Sequence, residues 1–191
     1  MDNLDKEKHE RTILGVDPGT GRLGWGIVSK GLRMQDTGLR GNNFMPKTCE
    51  LSPKPNIIDL VDCGLLETAA NTPLSDRLEF IFNGLKEVIK KYEPTELAIE
   101  ELFFVKNVKT GISVAHARGV AMLAAKLANM SVDEYKPNEI KLGICGYGHA
   151  DKKQMQKMVE LHIRGCKIKQ DDAADAVAVA LYHLQVGKFK I

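Results

Sequence analysis

The sequence lacks long apolar runs and has few cysteines, few aromatics and little excess charge of either sign. No stretch reaches the roughly 20 apolar residues of a membrane-spanning helix, so we expect no membrane contact. The start, MDNLDKEKHER, has no apolar core of the kind that secretory signals carry. The four cysteines form no C-x-x-C pair, which disfavours a structural zinc site and a disulfide framework. These absences predict a cytoplasmic protein.

Length and composition favour one domain. A chain of 191 residues with 43% hydrophobic residues can bury one good core. We expect a flexible N-terminal tail at 1–11 and a single domain at 12–187, with an irregular excursion at 30–57 that is rich in Gly, Asn, Pro and Lys. The net charge of +2 neither indicates nor excludes a nucleic-acid partner.

Apolar periodicity predicts an α/β protein. Three strands come first, and helices then alternate with two further strands, which favours an antiparallel region that continues into a parallel region. The predicted strands are 12–17, 22–29, 60–67, 97–100 and 132–135. The predicted helices are 74–92, 111–129, 137 to about 142, 151–162 and 171–186.

The segment ILGVDPGTGRLGWGIV, residues 13–28, matches the dinucleotide-binding pattern G-x-G-x-x-G. That pattern requires the glycines to open a helix. Here Gly24 begins a stretch that alternates like a strand, and glycine disfavours a helix by about 1 kcal/mol per residue. A hairpin between two antiparallel strands is therefore the favoured interpretation, and a dinucleotide loop is the alternative.

Carboxylates stand where an open crevice of an α/β sheet is expected. Asp17 and Glu100 each end an apolar strand, and Asp172 and Asp175 share one face of a helix's first turn. An acid at a helix N-terminus also complements the helix dipole, which explains Asp172 better than Asp175. If the acids converge, their mutual repulsion is relieved by Mg²⁺ or Mn²⁺, and two such ions about 4 Å apart can hydrolyse a phosphodiester.

Five segments, in this order, resemble the RuvC family of Holliday junction resolvases. They span residues 12 to about 186 apart from the excursion, and they are ILGVDPGTGRLGWGIV, LAIEELFFVKN, ARGVAMLAA, KPNEIKLGICGYGHADKKQMQKMV and DDAADAVAVALYHL. The resemblance implies a ribonuclease-H-like fold with a mixed five-stranded sheet flanked by helices, in a homodimer. It also implies Mg²⁺-dependent resolution of four-way DNA junctions by paired symmetric nicks, with Mn²⁺ able to substitute. The products would carry 5′-phosphate and 3′-hydroxyl ends, and the partners would be RuvA and RuvB.

The resemblance also implies roles for individual residues. The acids that would bind metal and catalyse cleavage are Asp17, Glu100, Asp172 and Asp175. Phe103 matches an aromatic residue near unpaired bases, although a core position is the alternative. Lys141 and Lys152 match basic residues near the scissile phosphate. Lys153 follows in the same predicted helical turn, where it either contacts phosphate or lies on a solvated face.

Two other functions compete with a nuclease. A nucleotide-binding ATPase or kinase would need a second phosphate loop and a longer chain, and the sequence has neither. A DNA-binding module without catalysis would not need all four acids, which are present.

Overall fold

A mixed sheet forms the centre of the molecule. The structure is a computed structural model, and it describes residues 11–30, 58–102, 108–163, 168 and 170–187. The strands are β1 (Arg11–Asp17), β2 (Arg22–Lys30), β3 (Ile58–Glu67), β4 (Glu96–Glu100) and β5 (Ser131–Tyr135). The helices are α1 (Leu74–Tyr92), α2 (Val108–Leu127), α3 (Pro137–Cys145), α4 (Lys152–His162) and α5 (Asp171–Val186).

The strand order is β3-β2-β1-β4-β5. β1, β2 and β3 pair antiparallel, whereas β1 pairs parallel with β4 and β4 parallel with β5. The antiparallel region follows from the short β1–β2 turn, and the parallel β4–β5 pair follows from the crossover through α2. This arrangement confirms the predicted five-stranded mixed sheet.

Two hydrophobic clusters cover the two faces of the sheet. Along β1, Ile13 faces the cluster built with α3, α4 and α5, and Leu14 and Val16 face the cluster built with α1 and α2. This alternation is the two-residue period of a strand that is buried on both sides. None of the helices among the described residues combines the length and apolarity that a bilayer crossing needs.

The predicted strand boundaries need small corrections. Arg11, which we expected to end the tail, is the first residue of β1, because its guanidinium is held by the carboxylate of Glu96 with Nε 2.6 Å from Oε1. Lys30, expected to open the excursion, ends β2 opposite Arg11. Residues 1–10 and 31–57 lie outside the described residues, so the tail and the excursion stay predictions.

Candidate active site

Three elements bring the acids to one edge of the sheet. β1 ends at Asp17 and its parallel neighbour β4 ends at Glu100, so both carboxylates emerge at the same edge. The first turn of α5 lies over this edge and carries Asp172 and Asp175. The convergence that strand-end positions and helical spacing suggested is therefore present.

Three of the four acids form a tight group. Asp17, Asp172 and Asp175 each present a carboxylate oxygen, and these oxygens all lie within 4.8 Å of one another. Glu100 lies beyond that group, but its charge acts on Asp17, and Asp175 acts on Glu100 in turn. Hard oxygen donors at this spacing fit a divalent cation such as Mg²⁺ or Mn²⁺.

The pKa values of these acids also favour a bound cation. Burial, followed by the charges of Asp175, Glu100 and Asp172, raises the pKa of Asp17 to about 7. Burial and Asp175 also raise the pKa of Glu100, and burial raises that of Asp175 despite the opposing effect of Lys152. These acids therefore resist ionising together, and a bound cation would relieve that strain.

Lys152 contacts the acids from the start of α4. Its Nζ lies 3.1 Å from Oδ2 of Asp175 and 3.7 Å from Oδ1 of Asp172. Burial alone would lower the pKa of this lysine, but the hydrogen bond to Asp175 and the surrounding acids raise it. Asp151 caps α4 by accepting from the backbone N–H of Gln154 at 2.9 Å, and this cap sets where the helix presents Lys152.

The other residues that were predicted to contact DNA are Lys141, Lys153 and Phe103. Lys141 on α3 is close enough to Glu100 for its positive charge to oppose the rise in the pKa of that carboxyl, although burial and Asp175 outweigh it. Lys153 is exposed in the first turn of α4. Phe103 lies outside the described residues and stays a prediction.

Arg22 is a basic residue at the site that the sequence analysis missed. Its Nη1 lies 3.9 Å from Oδ2 of Asp172, and its Nε lies 2.9 Å from Oε1 of Glu67. The guanidinium side chain is 65% exposed, so it is open to a phosphate. The available signal was its place directly after the glycine-rich turn that follows Asp17.

The glycine-rich segment is a hairpin. β1 and β2 pair antiparallel across it, with Asp17 opposite Gly24, and no helix follows the glycines. The hairpin interpretation is confirmed. The turn is also anchored: the hydroxyls of Thr20 and Ser113 hydrogen-bond each other, and Nε of Arg77 donates to the carbonyl of Thr20 at 3.2 Å.

Comparison with known proteins gives a consistent result. The profile of a family described as crossover junction endodeoxyribonuclease RuvC matches residues 51–183. A protein of that name from Roseiflexus sp. (strain RS-1) is 44% identical over 174 residues, which cover 91% of this chain and 89% of that protein. One from Brachyspira hyodysenteriae is 45% identical over 170 residues, with 89% and 91% covered. Among solved structures, Thermus thermophilus RuvC in complex with Holliday junction substrate is similar with a TM-score of 0.73 and 27% identity, over 91% of this chain and 93% of that one.

Proposed function

Because the chain belongs to the RuvC family, we propose that it is a metal-dependent endonuclease that resolves four-way DNA junctions by paired symmetric nicks. In this proposal the catalytic acids are Asp17, Glu100, Asp172 and Asp175. The observation that carries the proposal is the convergence of three acidic side chains, from β1 and α5, within 4.8 Å. The Thermus thermophilus relative, solved with its Holliday junction substrate, supports four-way DNA as the substrate class.

The residues that would hold the cation are Asp17, Asp172 and Asp175, with Glu100 at the margin of the group. Bound there, Mg²⁺, or Mn²⁺ in its place, would activate water and stabilise the leaving oxygen of a phosphodiester. The products would carry a 5′-phosphate and a 3′-hydroxyl. A bound cation would lower the pKa of Asp17 again, because its positive charge favours the ionised carboxylate that binds it.

Basic residues surround the acids on more than one side. Lys152 contacts Asp175, Arg22 lies beside Asp172, and Lys141 acts on Glu100. In this proposal the ammonium of Lys152 would exchange its contact with the acids for a phosphate oxygen once a cation neutralises them. Lys153 would contact the neighbouring DNA backbone, and Phe103, which follows β4 closely in the chain, would stack on an unpaired base.

A homodimer would supply two such sites for paired cuts, and α2 is the proposed contact. Its outer face carries apolar side chains that remain exposed: Ile112 and Leu123 at 54% each and Leu127 at 67%. Gly119 lies on the same face. Among the described residues, no atom outside the backbone of α2 lies within 4 Å of the position that a Cβ would take there, so a second helix could approach closely. Sedimentation should give a dimer for the wild type and a monomer for Leu123→Lys; a monomeric wild type would contradict this proposal.

We also propose RuvA and RuvB as partners, because the family resemblance implies them. The cytoplasm is the proposed location, because the sequence has scattered cysteines and its start has no secretory signal.

The nuclease proposal is tested by nicking of a mobile synthetic four-way junction and of a linear duplex, each with and without Mg²⁺. We expect paired nicks in the junction only, and only with the metal. Equal cutting of both substrates would indicate a general nuclease. Binding of the junction without any cutting would indicate a DNA-binding module.

A further inference from the structure

We infer that Gly24 is a positioning residue for the acids, because it lets the acid-bearing turn of α5 rest directly on the sheet. This inference rests on the function proposed above. It assigns a role to the last glycine of the G-x-G-x-x-G pattern, which the hairpin alone does not require.

The contact between Gly24 and α5 is closer than any other residue type permits. A Cβ built on Gly24 would lie 2.0 Å from the carbonyl oxygen of Asp172 and 2.5 Å from its carbonyl carbon. Real Cβ atoms essentially never come within 3.0 Å of a neighbouring heavy atom, and here the neighbour is helix backbone rather than a flexible side-chain end. Any side chain at position 24 therefore forces the strand or the helix to retreat by about 1 Å.

Gly24 also adjoins Asp17, the acid that β1 contributes to the group. It is the antiparallel partner of Asp17 in the β1–β2 register. The same residue thus lies beside Asp17 in the sheet and beneath Asp172 in the helix. A retreat at this point separates the two carboxylates that it adjoins, and displacements of about 1 Å are large for a preorganised site.

Gly15 has the same role further along α5. A Cβ there would lie 2.1 Å from the carbonyl oxygen of Ala176, the residue that follows Asp175. Gly24 and Gly15 together therefore hold the segment from Asp172 to Ala176 against β2 and β1. A bulkier residue at either position would move an acid as well as loosen the packing.

The test compares the affinity for Mn²⁺, followed by electron paramagnetic resonance, with the melting temperature for Gly24→Ala and a control. The control is Gly143→Ala, whose new Cβ would lie 2.3 Å from the ring of Tyr182 and would crowd α5 far from its acids. We expect Gly24→Ala to bind Mn²⁺ about tenfold more weakly or worse. Gly143→Ala should lower the melting temperature and leave the affinity unchanged.

Unchanged affinity in Gly24→Ala, or an equal loss in Gly143→Ala, would overturn the inference. If Gly24→Ala does not fold, Gly15→Ala takes its place with the same expected loss, and full affinity there would overturn it equally. A wild type that binds no Mn²⁺ would instead refute the metal site of the proposed function, so the two failures are distinguishable.

Discussion

A cluster that contains carboxylates lies at each end of α5, and the pKa shifts of Asp17 in one and Glu96 in the other have opposite signs. At its N-terminal end, Asp17, Asp172 and Asp175 lie together, and the pKa of Asp17 is raised to about 7. At the other end Glu96 is nearly buried, yet its pKa is lowered. Burial alone would raise the pKa of Glu96, but hydrogen bonds from Arg11 and His183 outweigh it.

Both carboxylate oxygens of Glu96 are hydrogen-bonded by side chains of this chain. Arg11 donates to both carboxylate oxygens, with Nε 2.6 Å from Oε1 and Nη2 2.8 Å from Oε2. His183 donates its Nε2 proton to the Glu96 carboxylate at 2.6 Å, and its Nδ1 shares a hydrogen bond with the hydroxyl of Tyr135. The cluster joins β1, β4, β5 and α5, and it needs nothing from outside the chain.

In this fold, the basic partners of an acid distinguish a structural acid from a functional one. Glu96 has a fixed guanidinium and an imidazole at hydrogen-bond distance. The acids at the N-terminal end of α5 have only exposed cations beside them: the ammonium of Lys152, which contacts Asp175, and the guanidinium of Arg22, which lies beside Asp172. Half-buried like charges that are compensated only by exposed cations are unfavourable for folding, and they suit a site that binds a metal cation.

The largest effect should follow from Asp17→Asn. Removing one carboxylate from the group should lower junction cleavage by about 1000-fold, which is about 4 kcal/mol of transition-state stabilisation. Junction binding should persist, because the basic residues remain. Cleavage and gel-shift assays with Mg²⁺ check both, and retained cutting would remove Asp17 from the metal site.

The matched change at the other end is Glu96→Gln. It leaves the mostly buried guanidinium of Arg11 without its carboxylate partner. The free energy of unfolding should therefore fall by about 3 kcal/mol. Affinity for Mg²⁺ should not change. Denaturant unfolding and calorimetry measure the two quantities, and a loss of metal affinity without a loss of stability would contradict the division between the clusters.

The metal-free protein should become less stable as the pH rises from about 4 to about 7. Asp17 has its pKa raised on folding from 3.8 to about 7, so the folded state binds the extra proton within that window. The expected change between pH 5 and 7 is about 2 kcal/mol. The lowered pKa of Glu96 adds stability as the pH rises towards its ordinary 4.5, so it opposes this trend only at the acid end of the window and not between pH 5 and 7.

This dependence is measured by denaturant unfolding at several pH values in the presence of a chelator. Asp17→Asn should flatten the profile, and Mg²⁺ should reduce it. Stability of the metal-free wild type that rises from pH 5 to 7 would show that the acids are not strained.

The smallest effect is expected for Lys152→Gln. The substitution removes a phosphate contact and should lower cleavage about tenfold. It should not weaken Mg²⁺ binding, because the ammonium competes with the cation for Asp175. Lys153→Gln is the control and should change cleavage less. A loss of metal affinity in Lys152→Gln would show that the lysine supports the acids rather than competing for them.

Much of the acidic site could be predicted from local pattern. Asp17 ends an apolar strand, and Asp172 and Asp175 lie three residues apart on a helix, so each position follows from strand length or helical period. The antiparallel and parallel regions of the sheet could also be predicted, since a short turn favours an antiparallel pair and a helical crossover a parallel one.

The other features of the fold and site depend on contacts between residues that are far apart in sequence, which no local pattern contains. Arg11 and Glu96 are separated by 85 residues, and Glu96 and His183 by 87, so their pairing required the folded sheet. The role of Gly24 likewise became visible only when α5, from the far end of the chain, was seen to lie on it.

We expect above all that the acids at the end of β1 and the start of α5 form a metal site. This expectation is tested most directly by calorimetric titration of Mg²⁺ into the metal-free wild type and into an Asp17→Asn, Asp175→Asn double variant. We expect saturable binding by the wild type and none by the double variant, which should remain folded because the repulsion between its acids has been removed. Equal binding by the two proteins would contradict it.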